Sequence, residues 1–386
     1  MFDGARIDGI LSGAVERREA PGVVATVCSA EESLYEGAFG TFEVGSGPAY
    51  TVETPLRLAS LTKAITSVAA MQLVERGLLR LDEPVSRWLP ELRTPHVLEA
   101  DGTVRPAKTE ITARHLLTHT AGFGYEIWSD RLVRHVREHG HPQGTGKPSF
   151  LSNPLLFDPG KHWNYGVNTD WLGELIVAIS GQRLSEFFRE EIFAPLGMDS
   201  TMHWLPEERD PELPPVHGRM RDGSLEPEGS ATPRAEYESG GGGLHSTARD
   251  YQRFLRMLLG RGELEGTRIL EASTVELMAE NQTGDLEVGK VETASPETSN
   301  SGDLSFGHDA GFGLGFLITL QTSRTGRTAG SLSWAGLFNN YFWVDLERNV
   351  AGAFYTQILP FLDHTVLDVN REFERETYVA LDAAGA

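Results

Sequence analysis

The chain has 386 residues, with 55 Asp and Glu against 34 Lys and Arg, a formal net charge of −21. So acidic a surface repels phosphate, which sets aside nucleic acid and anionic membranes as partners and leaves an ordinary well-solvated protein. At 40% apolar and 23% charged the composition is globular, and the length exceeds one ordinary core, so two domains or a large insertion are expected.

The opening residues Met1-Phe2-Asp3-Gly4-Ala5-Arg6 lack a basic segment followed by an apolar one, and no stretch is long enough to span a membrane, so a cytoplasmic location is expected. Ile7, Ile10, Leu11 and Val15 recur at helical spacing, and Pro21-Gly22 ends that helix. Runs rich in β-branched and aromatic residues over 23–29 and 34–42 predict two strands. The first holds the single cysteine, Cys28, which permits no intrachain disulfide and is expected to be a buried thiol. From Leu61, apolar residues at Ile65, Val68, Ala69, Leu73 and Val74 predict a helix that Gly77 ends, with Ser60 at its N-terminus.

Residues 81–225 read as helical and loop-rich, with helices over 115–119, 132–139, 172–179 and 184–193 and a long loop over 140–160. After the run Gly240-Gly241-Gly242-Gly243 a helix carries Tyr251, Phe254, Leu255, Leu258 and Leu259 on one face. The segment 282–311 is poor in large apolar residues and reads as a surface excursion. Strands are expected over 312–320, 341–345 and 350–355, the last two as a hairpin, and an amphipathic helix closes the chain over 366–381. The economical fold is α+β. An antiparallel sheet flanked by N- and C-terminal helices occupies 1–80 and 226–386, and a mainly helical domain, 81–225, is inserted between its halves.

Ser60 and Lys63 stand three apart on the 61–76 helix, so hydroxyl and amine share a face. A serine needs a neighbouring base to become a nucleophile, and a lysine serves only where burial or positive potential favours its neutral form. A helix N-terminus supplies that potential and free N–H groups for an oxyanion. Of the five lysines only Lys63 has a serine three residues before it. Ser-x-x-Lys alone fits a capping serine beside a solvated lysine equally well.

Leu58-Ala59-Ser60-Leu61-Thr62-Lys63, then Gly77-Leu78-Leu79-Arg80-Leu81-Asp82-Glu83-Pro84-Val85, then His115-Leu116-Leu117-Thr118-His119-Thr120-Ala121-Gly122 resemble the serine β-lactamase superfamily. Phe157-Asp158-Pro159-Gly160, the segment from Ile192 to Met198 and the run from Ser239 to Leu244 extend the likeness over most of the chain. It is similar above all to the class C β-lactamase-like esterases called family VIII carboxylesterases. The resemblance implies an α/β domain with a helical insertion. It also implies a catalytic tyrosine after the Pro-Gly turn, at Tyr165 in Trp163-Asn164-Tyr165-Gly166-Val167-Asn168. A nearby lysine ammonium would favour the phenolate, and the pair would titrate as one unit. The β-lactamases have asparagine two residues after this tyrosine, where Val167 stands here, and Asn168 follows one position later.

The family's Lys-Thr-Gly edge strand corresponds to Ser333-Trp334-Ala335-Gly336, followed by Leu337. The likeness implies an oxyanion hole from the N–H groups of Ser60 and Leu337. The missing lysine removes the charge that would pair with a β-lactam carboxylate, and Trp334 offers apolar area instead, so neutral esters are expected. Phe123, Tyr125, Trp128, Phe150 and Phe338 flank these motifs as candidate pocket walls. The expected reaction is hydrolysis of a small ester through a Ser60 acyl-enzyme, needing no metal or organic cofactor. β-Lactam or D-amino-acid peptide hydrolysis, acyl transfer to an alcohol, and a non-catalytic binding role are the alternatives. No Gly-x-Ser-x-Gly elbow exists, and His115 and His119 lack the glutamate of a zinc motif and read as packing.

Overall fold

The computed structural model describes residues 2–140, 147–228 and 237–385. Helix α1 (Ala5–Glu16) precedes strands β1 (Gly22–Cys28), β2 (Ser33–Glu43) and β3 (Ser46–Ala49). Helices α2 (Thr62–Glu75), α3 (Ala113–Leu117), α4 (Asp130–His139), α5 (Asn168–Ser180) and α6 (Ala248–Leu259) follow. Strands β4 (Ala310–Phe312), β5 (Leu317–Thr319), β6 (Leu332–Gly336), β7 (Asn340–Asp345) and β8 (Val350–Tyr355) lead to α7 (His364–Ala384).

The strands form one sheet in the order β4-β5-β6-β7-β8-β1-β2-β3, every pairing antiparallel. The N-terminal strand and the last strand of this sheet meet where Val24 pairs with Tyr355 and Cys28 with Ala351. Every residue of β1, β7 and β8 is buried, because α6 covers one face and α1 and α7 pack on the other. Continuous apolar runs such as Val23-Val24-Ala25 are what two covered faces demand. Burial pushes the Cys28 thiol up to about 12, so it stays an inert core group.

Helix α2 is buried on all sides from Thr62 to Leu73 and packs against α5, which puts the Ser-x-x-Lys segment at the junction of sheet and helices. The expected strand over 312–320 is two strands, β4 and β5. The intervening Gly313-Leu314-Gly315-Phe316 turns the chain back, with Gly315 at φ +98°. Among the helical segments, 184–193 divides into Leu184–Phe188 and a π-turn, Arg189–Phe193. Of the loop expected over 140–160, residues 141–146 lie outside the described residues, and Ser149–Ser152 forms a 3₁₀ turn. The segment 282–311 is no simple excursion. Ser299 is fully buried and accepts a hydrogen bond from the Trp128 indole at 2.9 Å. No helix among the described residues is long and apolar enough to cross a membrane.

Candidate active site

Ser60 sits in a 3₁₀ turn, Ala59–Leu61, two residues before α2 begins at Thr62. Ala59 holds φ +46°, a left-handed conformation that costs a non-glycine residue about 1 kcal/mol or more and persists only where its surroundings enforce it. The enforcement is visible. The Leu58 N–H donates to the Leu244 carbonyl, the Tyr251 hydroxyl donates to the Leu61 carbonyl, and Leu56–Arg57 pairs with His245–Ser246. On the other side β6 runs close against the turn. A Cβ on Gly336 would lie 2.4 Å from the Leu58 carbonyl oxygen, so only glycine permits this approach. Strand β5 pairs with β6 only at Leu332 and Ser333, so β6 is interior at that end. Trp334 to Gly336 form a local edge facing Ser60.

The Lys63 side chain is buried and its ammonium nitrogen reaches three uncharged oxygens. It lies 3.1 Å from Ser60 Oγ, 3.1 Å from the Tyr125 hydroxyl and 2.6 Å from the Gly241 carbonyl. Two of these fix the amine, so its third tetrahedral position faces the serine. The glycine run belongs to this frame. The Thr66 hydroxyl donates to the Gly240 carbonyl at 2.6 Å, and the Gly241 N–H donates to the buried Asp170 carboxylate at 3.1 Å. Asp170 also accepts from Ser239 Oγ at 2.6 Å. The Gly241 peptide thus links Asp170 to Lys63, with its N–H toward the acid and its carbonyl toward the amine.

Two tyrosines flank Lys63 in different ways. The Tyr125 phenol is hydrogen-bonded to it, and burial first, then the Asp170 carboxylate, pushes that phenol well above the usual range. The Tyr165 phenol is buried without a hydrogen-bond partner, and it is the ring that approaches the ammonium, 4.9 Å from its centroid. The expected convergence of serine, amine and the Tyr165 phenol through hydrogen bonds is therefore corrected. The phenol bonded to Lys63 is Tyr125, which had been placed among the pocket walls. Tyr165 is packed by His119, Tyr125, Trp128 and Trp334 at 5.0–5.3 Å between ring centroids. The Asn164 amide donates to the Phe123 and Tyr165 carbonyls, tying the two tyrosine-bearing loops together.

Two cavities meet at Ser60. The wide one, about 440 Å³, is walled by Tyr125, Trp128, Phe150, Trp204, Tyr237 and Phe338, with Leu337 and the glycine run at its root. The narrow one, about 20 Å³, lies among Trp128, Tyr165, Leu304, Phe306, Trp334 and Phe361. Ser60 and Leu337 line both. Phe123 does not reach either. It stacks on Trp171 and faces a separate cavity, because its loop is turned by the Asn164 tie. Asp170, Trp204, Tyr237, Leu304, Phe306 and Phe361 were not anticipated, whereas Gly241 belongs to the glycine run that carries the resemblance. Asp170, five residues beyond Tyr165 in α5, and Tyr237, two residues before Ser239, stood near recognised motifs.

His119 is buried, its Nδ1 accepts from the Asn168 amide nitrogen at 3.0 Å, and it is held well below the usual histidine range by burial and by the Lys63 charge. Asn168 is thereby committed to His119 and does not join Lys63. His115 Nδ1 accepts the Thr112 N–H in a capping box of α3. The two histidines thus play separate packing roles.

The β-lactamase family model matches residues 7–373. Over 389 aligned residues the chain is 34% identical to monacolin J acid methylbutanoyltransferase of Aspergillus terreus, covering 95% of this chain and 93% of the relative. The solved structure of simvastatin synthase (LovD) from the same organism superposes with a TM-score of 0.85 at 31% identity, over 97% of this chain and 98% of that one. A lovastatin esterase of Penicillium rubens is 27% identical over 96% of this chain and 98% of its own length. The chain belongs to the β-lactamase family. It is an enzyme of the kind that works through an acyl ester on a serine, and its fold is that of β-lactamases and penicillin-binding proteins.

Proposed function

We propose that this enzyme is an acyltransferase that carries an acyl group on Ser60 and delivers it to an alcohol. The expected carboxylesterase activity is then the side reaction in which water replaces the alcohol. Ser60 Oγ attacks the carbonyl of an activated ester while its proton passes to the Lys63 amine, 3.1 Å away. The N–H groups of Ser60 and Leu337 hold the oxyanion. The Tyr165 phenol, buried and unbonded beside the narrow cavity at Ser60, protonates the departing oxygen. The acceptor hydroxyl then attacks the acyl-enzyme and gives its proton to the Tyr165 phenolate, and Ser60 leaves with the proton held on Lys63, 3.1 Å away. Tyr125 and Gly241 keep the amine aimed at Ser60 throughout.

The observation that carries transfer over hydrolysis is the apolar space of about 440 Å³ open at the nucleophile, which fits an acceptor far larger than water. The names of relatives at 31–35% identity, methylbutanoyltransferases and acyltransferases, support the same reading. Ester hydrolysis remains the second reading, supported by the esterase relative at 27%.

The test is product partitioning. The enzyme is given p-nitrophenyl butanoate with rising concentrations of a bulky apolar alcohol, and butanoate ester and free butanoate are quantified. Ester should exceed acid by at least tenfold once the alcohol reaches millimolar levels. Free acid alone at every alcohol concentration would return the enzyme to the esterases.

A further inference from the structure

On the far side of β6 from the nucleophile, a cavity of about 280 Å³ lies between the sheet, α7 and the loop around Phe306. Four buried polar atoms without a hydrogen-bond partner belong to lining residues on this face: Arg327 Nη1, Ser333 Oγ, Trp343 Nε1 and Asn370 Oδ1. Each of these residues is at least nine-tenths buried. Indole and guanidinium nitrogens can only donate, and a serine hydroxyl can donate, so three of the four ask for an acceptor. The guanidinium is itself built in. Arg327 Nε and Nη2 grip the buried Glu374 carboxylate at 3.0 and 2.6 Å, which leaves Nη1 free of that pair.

The charge at the cavity's mouth points the same way. Arg324 and Arg371 flank it and are exposed, and with Arg327 they outnumber Glu374. Asp368, ion-paired to Arg371 at 3.0 Å, stands outside the lining. Burial first, then the neighbouring Arg327, lowers His308 to about 4, so the positive potential comes from guanidinium groups. In a chain of net charge −21 this is a local reversal of sign. Among the remaining walls, Phe306, Tyr341 and Leu367 supply apolar area, with Thr325 beside them.

We propose that this cavity is a binding site for a small monocarboxylate with an apolar body, distinct from the Ser60 site. The carboxylate accepts from Arg327, Ser333 and the Trp343 indole, and the hydrocarbon part lies on the phenyl and leucine walls. Trp334 and Phe306 line both this cavity and the narrow one beside Ser60, so they form the partition between the two sites.

Benzoate is the probe, with benzamide as its uncharged isostere and inorganic phosphate as a bare oxyanion. Binding is followed by calorimetry and by quenching of tryptophan fluorescence, since Trp334 and Trp343 form the walls. Benzoate should bind saturably in the millimolar range or tighter, and benzamide and phosphate at least tenfold more weakly. Asn370→Leu narrows the cavity and removes a polar wall, and should weaken benzoate binding at least tenfold while leaving hydrolysis of p-nitrophenyl acetate unchanged. Arg371→Glu, on the exposed rim, should weaken it at least tenfold and serves if Asn370→Leu fails to fold. Equal binding of benzoate and benzamide would overturn the proposal. So would no saturable benzoate binding, or a Kd that neither variant moves. Phosphate binding as well as benzoate would replace the monocarboxylate with a general oxyanion as the ligand.

Discussion

The loop that carries Tyr125 and the loop that carries Tyr165 bring the same side chain to the same lysine with opposite results. Tyr125 spends its phenol on Lys63 and is pushed well above the usual range, so it is suited to holding the amine. Tyr165 gives Lys63 only its ring, and its buried phenol has no partner. A phenol whose oxygen already accepts from the amine at rest is a positioning group, whereas one held ready in a desolvated site can move a proton at the moment of reaction.

The pair of Tyr→Phe variants breaks or sharpens this contrast. Tyr165→Phe should lower kcat by about 10² to 10⁴ with little change in KM, the range for losing a general acid. Tyr125→Phe should cost only about tenfold in kcat, by loosening the amine that it holds. Steady-state hydrolysis of p-nitrophenyl butanoate from pH 6 to 10 separates them. If Tyr125→Phe is the more damaging, the assignments exchange.

Gly336→Ala probes the frame that both loops serve. The added methyl meets the Leu58 carbonyl at 2.4 Å, so either strand or turn must shift and the N–H groups of Ser60 and Leu337 would no longer point to one place. Losing alignment of an oxyanion donor is worth about 10² to 10³ in kcat. The test compares turnover with the thermal midpoint, and a fall in both together would mark mere unfolding.

A smaller effect tests the packing around the glycine run. Burial lowers His203 and His245 to about 4 from their ordinary 6.5. The unfolded chain therefore binds more protons than the folded one between about pH 4 and 6.5. Stability present above pH 6.5 should be lost progressively as pH falls towards 4, by on the order of 2 kcal/mol per histidine. Urea midpoints at pH 7, 5.5 and 4.5 should decline in that order, and His245→Gln should flatten the slope.

The molecule's architecture was largely legible because its signals are periodic. Seven buried residues in succession mark β1 and a helical spacing marks α6, and each periodicity decides an element. Short pairings, such as His96–Leu98 with Val104–Pro106, carry no period and passed unseen. So did the reversal between β4 and β5, whose two glycines read as part of one strand. In the site, Ser60 and Lys63 were legible because three residues on one helix fix their separation. The Lys63 partners Tyr125 and Gly241 lie 62 and 178 residues away, and no local rule carries a hydrogen bond over that distance. Leu304 and Phe306 were hidden for the same reason, since their segment is polar on average and only its fold turns them inward.

The central claim is that Ser60 becomes acylated with Lys63 as its base. Intact-protein and peptide mass spectrometry after a short incubation with p-nitrophenyl butanoate, quenched in acid, measures it most directly. One butanoyl group should appear on the peptide containing Ser60. It should be absent in Ser60→Ala, strongly reduced in Lys63→Met, and discharged when an apolar alcohol is added. A wild-type protein that turns over the ester yet never carries the group, or carries it on another residue, would contradict the account.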